Sequence, residues 1–331
     1  MTTTITQKKV LILATGGTIL SSYHNERNSI VLDVKGDQLL APLHHWLPDV
    51  QVEIRDYQPQ LPGPHLTPET ALDMAGEIEL VQDRYDGIVV LQGTDTLEEF
   101  SYFIHLITCV RVPVVFTGSL KSSNESYADG VGNLISAVKL ASSEQARGQG
   151  VMVVFNESIF APKDIVKMHT SSIDAFQAPN TGPIGTFING EPQLYYPGSA
   201  AFVYEKRLKT KVELVKATLG GGEGLIDYCI SQEAQGIVVE GFGAGNVPPK
   251  WETGIARAIR QRIPVVIASR CPSGSVSPVY DYVGGGKRLK ELGAMFAKNL
   301  TGPKARIKLM VLLGQSGGSD LAELGKHWET V

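Results

Sequence analysis

Residues 10–19 read VLILATGGTI, and this stretch decides the fold. Its first five residues are apolar without any alternation, which is typical of a strand that is buried on both faces of a sheet. The polar and glycine residues that follow end the strand and allow the chain to turn. We therefore predict a central strand that ends in a polar, glycine-rich turn.

Similar apolar runs recur along the first half of the chain, each followed by polar residues and then by a helical pattern. They span residues 87–91, 112–117 and 151–155. Helices are predicted from a cap-like start at Thr67 through Val81, and from Asn133 to Leu140. This alternation favours an α/β fold with a parallel sheet.

The pattern weakens between residues 188 and 210, where Asn-Gly, Glu-Pro and Pro-Gly pairs indicate turns. A second, smaller α/β set follows, with strands predicted at 212–215, 236–240 and 264–268 and helices at 224–229, 252–261 and 305–313. We therefore predict an N-terminal α/β domain over residues 1–187, a linker over 188–210 and a smaller C-terminal α/β domain over 211–331.

Composition excludes several classes of function. The chain has 331 residues and a net charge of −4, so it offers no basic face for nucleic acid. It has no run of about 18 apolar residues, and we expect no membrane span. The first strand follows two lysines and is too short for a signal peptide, which favours a cytoplasmic protein. The three cysteines lack metal-ligand spacing, so we expect no metal site at them.

Two Gly-Thr motifs follow separate strands of the predicted sheet. Thr15 and Thr18 come just after the first strand, and Gln92-Gly-Thr-Asp-Thr96 comes just after the second. The carboxyl ends of parallel strands meet at one edge of a sheet, which is where ligands bind. Either motif alone is more simply read as a turn with a threonine helix cap, but the pair together indicates a site.

A threonine hydroxyl becomes a nucleophile only when a base takes its proton. A lysine held neutral by burial is the plausible base, and both Lys163 and Lys167 follow the fourth strand. Asp95 is placed to orient that base or to bind a substrate ammonium. Thr18 is therefore a candidate nucleophile, with the choice between the two lysines open at this point.

These residues resemble the two signature motifs of the bacterial-type asparaginase/glutaminase family: ATGGTI at 14–19 and QGTDTL at 92–97. The resemblance extends over nearly the whole chain, including DIVK at 164–167 and GFGAGN at 241–246. It implies a larger flavodoxin-like, mainly parallel-sheet domain and a smaller α/β domain. It also implies homodimers or homotetramers, with the active sites near the subunit interface.

The resemblance implies that Thr18 is the nucleophile and that Thr94, Asp95 and Lys167 form a second catalytic group. Asp95 would also hold the α-ammonium of an amino-acid amide. The implied reaction is hydrolysis of the side-chain amide of asparagine through an acyl-threonine ester, and it implies no metal and no cofactor. Gly17 and Gly93 are expected to let the backbone contact the substrate.

The sequence departs from the family pattern at two places. The family tyrosine of the loop after the nucleophile is replaced near its usual place by Asn-Ser-Ile. Either Tyr23 substitutes for it, or the loop works differently. The serine that binds the substrate carboxylate is absent from the stretch LPGPHLTPE at 61–69, which makes Gly63 and His65 candidate contacts. Ser119 is a further candidate.

The departures affect recognition of the substrate more than the hydrolytic groups. A glutaminase or another amidase therefore stays an alternative, as does a non-catalytic homologue that binds small molecules. An amidase component of a tRNA-dependent amidation system is a further alternative, although such proteins are expected to carry an additional N-terminal domain.

Overall fold

The structure is a computed structural model that describes residues 7–196, 203–315 and 320–329. The chain divides into two compact units, Met1–Val203 and Tyr204–Val331.

The described strands of the first unit are β1 (Lys8–Ala14), β2 (Ser21–His24), β3 (Ser29–Leu32), β4 (Val50–Asp56), β5 (Gly87–Leu91), β6 (Val114–Thr117), β7 (Val151–Phe155), β8 (Ser158–Phe160), β9 (Val166–Lys167), β10 (Phe176–Gln177), β11 (Gly185–Ile188) and β12 (Glu191–Leu194). Its described α-helices are α1 (Leu40–Trp46), α2 (Pro68–Val81), α3 (Leu97–Ile107) and α4 (Gly130–Ser142). Eight strands form one sheet in the order β12-β11-β8-β7-β6-β5-β1-β4.

The larger sheet is parallel from β4 through β1, β5 and β6 to β7, and antiparallel beyond that strand. The change of direction comes from the tight turn between β7 and β8, where Asn156 and Glu157 both have positive φ. A connection of two residues cannot make the crossover that a parallel neighbour requires. The predicted fold class, a larger mainly parallel sheet with a smaller α/β unit, is confirmed.

The strands found by their apolar runs form the centre of this sheet. Every residue of β5, β6 and β7 is buried, which explains why none of them alternates with polar residues. The edge strand β4 reads VQVEIRD, and it was not predicted from the sequence because charged residues interrupt its apolar pattern. Within the span predicted as a linker, Glu191–Leu194 forms β12, and residues 197–202 lie outside the described part of the chain.

The described strands of the second unit are β13 (Val212–Lys216), β14 (Gly236–Gly241), β15 (Val265–Ser269) and β16 (Met295–Phe296), which form one parallel sheet in that order. Its described helices are α5 (Gly224–Ser231), α6 (Pro249–Arg260), α7 (Gly286–Glu291), α8 (Gly302–Gly314) and α9 (Leu321–Glu329). The strands and helices predicted after residue 210 are all present, with bounds that differ by a few residues. In residues 7–196, 203–315 and 320–329, no helix is both long and apolar enough to cross a bilayer.

Helix α3 contains a buried histidine that makes folding sensitive to acid. His105 is 6% exposed, it stacks on Tyr102, and its Nδ1 has no hydrogen-bond partner among the described residues. Burial, with a smaller contribution from Lys163, lowers the pKa of His105 from 6.5 to about 4. The folded protein therefore keeps this imidazole neutral at a pH where the unfolded chain protonates it.

We expect the free energy of unfolding to fall by about 3 kcal/mol between pH 6.5 and pH 4 because of this one group. The unfolded state binds the proton first as the pH drops, so the stabilisation is present above pH 6.5 and is lost below it. Urea unfolding at pH 7.5 and pH 4.5 should show a smaller loss in His105→Leu than in the wild type. The exposed His44 gives the matched control, because His44→Leu should keep the wild-type pH dependence.

Candidate active site

The turn after β1 places Thr18 at the carboxyl edge of the larger sheet. Thr15 anchors this turn, since its backbone N–H and its hydroxyl both donate to the carbonyl of Leu91 in β5, at 2.9 and 2.8 Å. Ser21 Oγ donates to the carbonyl of Gly17 at 3.0 Å and fixes the far side of the turn. Thr18 lies between these anchors and is half-buried.

The two Gly-Thr motifs touch through their backbones. A Cβ atom on Gly17, which has a φ of 89°, would lie 2.5 Å from the Cα and N atoms of Gly93. A Cβ atom on Gly93 would lie 2.9 Å from the backbone N of Gly63. Such distances are shorter than any van der Waals contact, so glycine is required where these turns meet. The structure thus brings three of the predicted binding residues together.

The second motif carries a hydrogen-bonded group of three side chains. Lys167 Nζ donates to Thr94 Oγ1 at 2.9 Å and to Asp95 Oδ1 at 2.7 Å. Thr94 is buried, the side chain of Lys167 is 17% exposed, and that of Asp95 is 62% exposed. The lysine is thereby shielded from solvent on the side of Thr94, while the carboxylate faces outward.

Lys167 is positioned by a short strand pairing and by one residue that is distant in sequence. Its strand β9 pairs with β10, and its backbone N–H donates to Glu98 Oε2 at 2.7 Å. Glu98 lies in the first turn of α3, directly after the second motif, and the sequence analysis did not identify it. The other candidate lysine, Lys163, has its Nζ 3.8 Å from Asp164 Oδ1 instead.

A cavity of about 310 Å³ lies between the two motifs. Its lining residues come from the first turn, the β2–β3 hairpin, the segment before α2 and the second motif: Gly17, Thr18, Ser21, Ile30, Leu32, Pro62, Gly63, Pro64, Gly93, Thr94 and Asp95. A second cavity of about 280 Å³ is lined by Asp95, Lys167, Met168, His169 and Thr170. Asp95 borders both, so the Lys167–Asp95 pair separates the two spaces.

Four predicted site residues are not among the described residues that line the larger cavity. Lys167 lines the smaller cavity instead. Tyr23 lies on β2, and its hydroxyl donates to Asn28 Oδ1. His65 is exposed at the end of the 3₁₀ turn Gly63–His65, and Thr67 rather than this histidine caps α2. Ser119 is buried and donates to Asp129 Oδ1 at 2.7 Å.

The apolar part of the cavity wall was not predicted from the sequence. Ile30 and Leu32 belong to β3, and Pro62 and Pro64 flank Gly63. The only available signal was the short SSYH and SIVL pair of strands, which is too brief to distinguish from a loop.

The arrangement places a threonine hydroxyl at a cavity whose other wall carries a threonine–lysine–carboxylate group. Such a site can offer one hydroxyl as a nucleophile while the second hydroxyl exchanges protons with the lysine. Among the described residues, no group of three or more His, Cys, Asp or Glu side chains is arranged to hold a metal ion.

Models of known protein families match both units of the chain. The family model "Asparaginase, N-terminal" matches residues 9–199, and "Glutaminase/Asparaginase C-terminal domain" matches residues 211–326. The chain is 37% identical over 313 residues to a probable L-asparaginase of Deinococcus radiodurans, with 92% of each chain covered. It is 30% identical over 327 residues to one component of the glutamyl-tRNA(Gln) amidotransferase of Methanosarcina acetivorans, covering 93% of this chain and 74% of that protein.

A solved structure extends the similarity to the fold. The crystal structure of a probable cytoplasmic L-asparaginase from Campylobacter jejuni matches with a TM-score of 0.86 at 26% identity, over 98% of this chain and 100% of that chain. With two family models matching most of the sequence and relatives matching along nearly its whole length, the chain belongs to the asparaginase family and is an amidohydrolase.

Proposed function

We propose that the protein hydrolyses the side-chain amide of L-asparagine to L-aspartate and ammonia, with Thr18 as the nucleophile. The observation that carries this proposal is the Thr94–Lys167–Asp95 group. Thr94 and Asp95 border the same cavity as Thr18, and Lys167 is hydrogen-bonded to both of them. A site that only binds a small molecule has no need of a shielded lysine in contact with a second threonine hydroxyl. The D. radiodurans and C. jejuni relatives support asparagine as the substrate.

In the first step, Thr18 Oγ1 attacks the carbon of the amide and the carbonyl oxygen takes up the negative charge. The proton of the Thr18 hydroxyl leaves, and the amide nitrogen gains a proton and departs as ammonia. An ester between the substrate acyl group and Thr18 remains. In the second step, water adds to the ester carbon, the Thr18 oxygen recovers a proton, and aspartate is released.

Thr94 and Lys167 can move the protons that these steps require. A lysine ammonium has three donors, and a neutral lysine amine has a lone pair that accepts one. The 2.9 Å contact between Lys167 Nζ and Thr94 Oγ1 suits either direction, so a proton can pass between the cavity and the lysine through the Thr94 hydroxyl. Asp95 holds the lysine on its other side.

Asp95 also accounts for the choice of an amino-acid amide. Its carboxylate lines the cavity and is largely exposed, so it can accept hydrogen bonds from the α-ammonium of the substrate. Gly63, with no side chain, leaves room for the substrate carboxylate beside the segment before α2. Ile30 and Leu32 would contact the aliphatic part of the substrate.

The purified protein should release ammonia from L-asparagine, with a lower kcat/KM for L-glutamine. The apolar wall and the small cavity favour the shorter side chain. A coupled glutamate dehydrogenase assay measures the rate of ammonia release from each amide. L-aspartate, which has no side-chain amide, serves as the control. A higher kcat/KM for glutamine would make the protein a glutaminase, and tight asparagine binding in calorimetry with no ammonia from any amide would make it a binding homologue.

The similarity to an amidotransferase component favours one second candidate, an amidase that supplies ammonia to a partner. The same threonine chemistry would then act on glutamine within a complex. Full turnover of free asparagine by the isolated chain argues against this role, whereas ammonia release that appears only with a partner protein and tRNA argues for it. A cytoplasmic location and a homodimer or homotetramer stay predictions, testable by fractionation and by light scattering.

A further inference from the structure

The β2–β3 hairpin supplies one wall of the larger cavity. In its antiparallel register Ser21 lies opposite Leu32, and Tyr23 lies opposite Ile30. Opposed residues of an antiparallel pair face the same side, and this side contains three of the cavity-lining residues. The position of the hairpin therefore decides whether the space beside Thr18 is enclosed.

An isolated two-stranded hairpin is marginally stable in water, so its position must be fixed from outside. Its own cross-links are Ser22 and His24, which both contact the carboxylate of Asp33, at 2.7 and 2.6 Å. These contacts join the two arms of the hairpin to each other. They do not fasten the hairpin to the rest of the unit.

Besides the bond from Ser21 Oγ to the carbonyl of Gly17, the hairpin is held by a neighbouring segment, residues 119–129, which we call the docking segment. Asn124 Oδ1 accepts from the backbone N–H of Tyr23 at 2.7 Å, and Asn124 Nδ2 donates to the carbonyl of Tyr23 at 2.9 Å. One side-chain amide thus makes the pair of hydrogen bonds that a neighbouring strand would make. The backbone N–H of Ser123 adds a bond to the carbonyl of Ser21 at 3.2 Å.

The docking segment is itself firmly held. The Asp129 carboxylate accepts from the backbone N–H groups of Leu120 and Lys121 and from the hydroxyl of Ser119. Glu125 Oε2 accepts from the backbone N–H of Ser122 at 2.7 Å, and this bond lowers the pKa of Glu125. Ser119, predicted as a substrate contact, takes part in these hydrogen bonds within the docking segment.

We propose that Asn124 is a positioning residue that holds the β2–β3 hairpin closed against the cavity of Thr18. It acts through the backbone of Tyr23 and touches no reacting atom. The part of the hairpin around Tyr23 and Ile30 opens when the two Asn124 hydrogen bonds break. Substrate turnover requires the closed arrangement, in which Ile30 and Leu32 enclose the substrate. The effect on turnover rests on the proposed amide hydrolysis, whereas the effect on the hairpin does not.

Two measurements on Asn124→Ala and Asn124→Asp test this role. Asn124 is exposed, so both variants should fold. The aspartate keeps the acceptor for the Tyr23 N–H but places a second oxygen against the Tyr23 carbonyl. Asn124→Asp should therefore release the hairpin as Asn124→Ala does. We expect native-state amide exchange of residues 21–24 and 29–32 to accelerate about 10-fold or more, with exchange in β5 unchanged, from the loss of two hydrogen bonds. We expect kcat/KM for asparagine to fall about 10-fold in parallel.

The matched control is Ser123→Ala, which lies on the same segment and retains its backbone bond to Ser21. It should change amide exchange and kcat/KM by less than about threefold, since it loses only one long hydroxyl contact. Unchanged exchange of the hairpin in Asn124→Ala would show that this residue does not hold it. Faster exchange with wild-type kcat/KM would show that closure does not matter for turnover.

A failure of the proposed reaction is distinguishable from a failure of this inference. If the wild type releases no ammonia, the exchange data still report whether Asn124 holds the hairpin. A purely structural role would lower the amount of folded protein while the folded fraction kept its kcat/KM. That result would overturn the positioning role.

Discussion

Replacing Thr18 with alanine should lower kcat for asparagine hydrolysis by roughly 10⁴-fold or more, because it removes the hydroxyl that we propose forms the acyl-enzyme ester. Thr18 is half-buried and lines the cavity, so a methyl group fits there without disturbing the two glycine turns. Thr18→Ser keeps the hydroxyl and should retain measurable turnover. Ammonia release under substrate saturation measures all three proteins.

Thr15 provides the matched control within the same turn. Its hydroxyl donates to the buried carbonyl of Leu91, so Thr15→Ala should cost about 1 kcal/mol of stability. It should leave kcat within about tenfold of the wild type, since this hydroxyl is hydrogen-bonded to the backbone of β5. If Thr18→Ala turned over asparagine at the wild-type rate, or Thr15→Ala were the inactive variant, the nucleophile would be misassigned.

Replacing Lys167 with methionine should lower kcat by about 10²- to 10⁴-fold, the usual contribution of a positioned proton-transfer group. Methionine has nearly the length and volume of the lysine stem, so β9 should keep its pairing with β10. The substitution removes the partner of Thr94 Oγ1 and leaves the Asp95 carboxylate free. Steady-state kinetics should therefore show a loss in kcat that exceeds any change in KM.

Lys163→Met is the control for this prediction. Lys163 lies four residues earlier and pairs with Asp164 at the long distance of 3.8 Å, so its removal should change kcat by less than about twofold. Equal effects of the two substitutions would mean that the Lys167–Thr94 contact has no role in proton transfer. Restoration of activity in Lys167→Met by added primary amines would strengthen the assignment.

The fold could be predicted where the sequence is uniform over a whole element. Strands such as β5 are buried at every position, and their apolar runs are unmistakable. The edge strand β4 could not be predicted this way, because charged residues break its pattern. The hairpin strands β2 and β3 are too short to distinguish from a loop. Their pairing partners, rather than their own sequences, make them strands.

Part of the candidate site could also be predicted from the sequence. Residues at strand ends, such as Thr18, Thr94 and Asp95, were found because parallel strands bring their ends to one edge. Glu98, Asn124 and the apolar wall were missed because their partners are remote in sequence or belong to the backbone. Tyr23 and Ser119 were placed by analogy alone, and in the structure their hydroxyls serve Asn28 and Asp129 instead.

The backbone contact between Gly17 and Gly93 has a consequence for evolution and engineering. Any side chain there would force the two turns apart, so we expect a substitution at either position to abolish the proposed reaction. Ile30 and Leu32 have no such restriction, since their side chains only face the cavity from a hairpin. The substrate range can therefore diverge through the hairpin while the chemistry is inherited unchanged. Libraries that seek new amide substrates should randomise Ile30 and Leu32 and leave the glycines fixed.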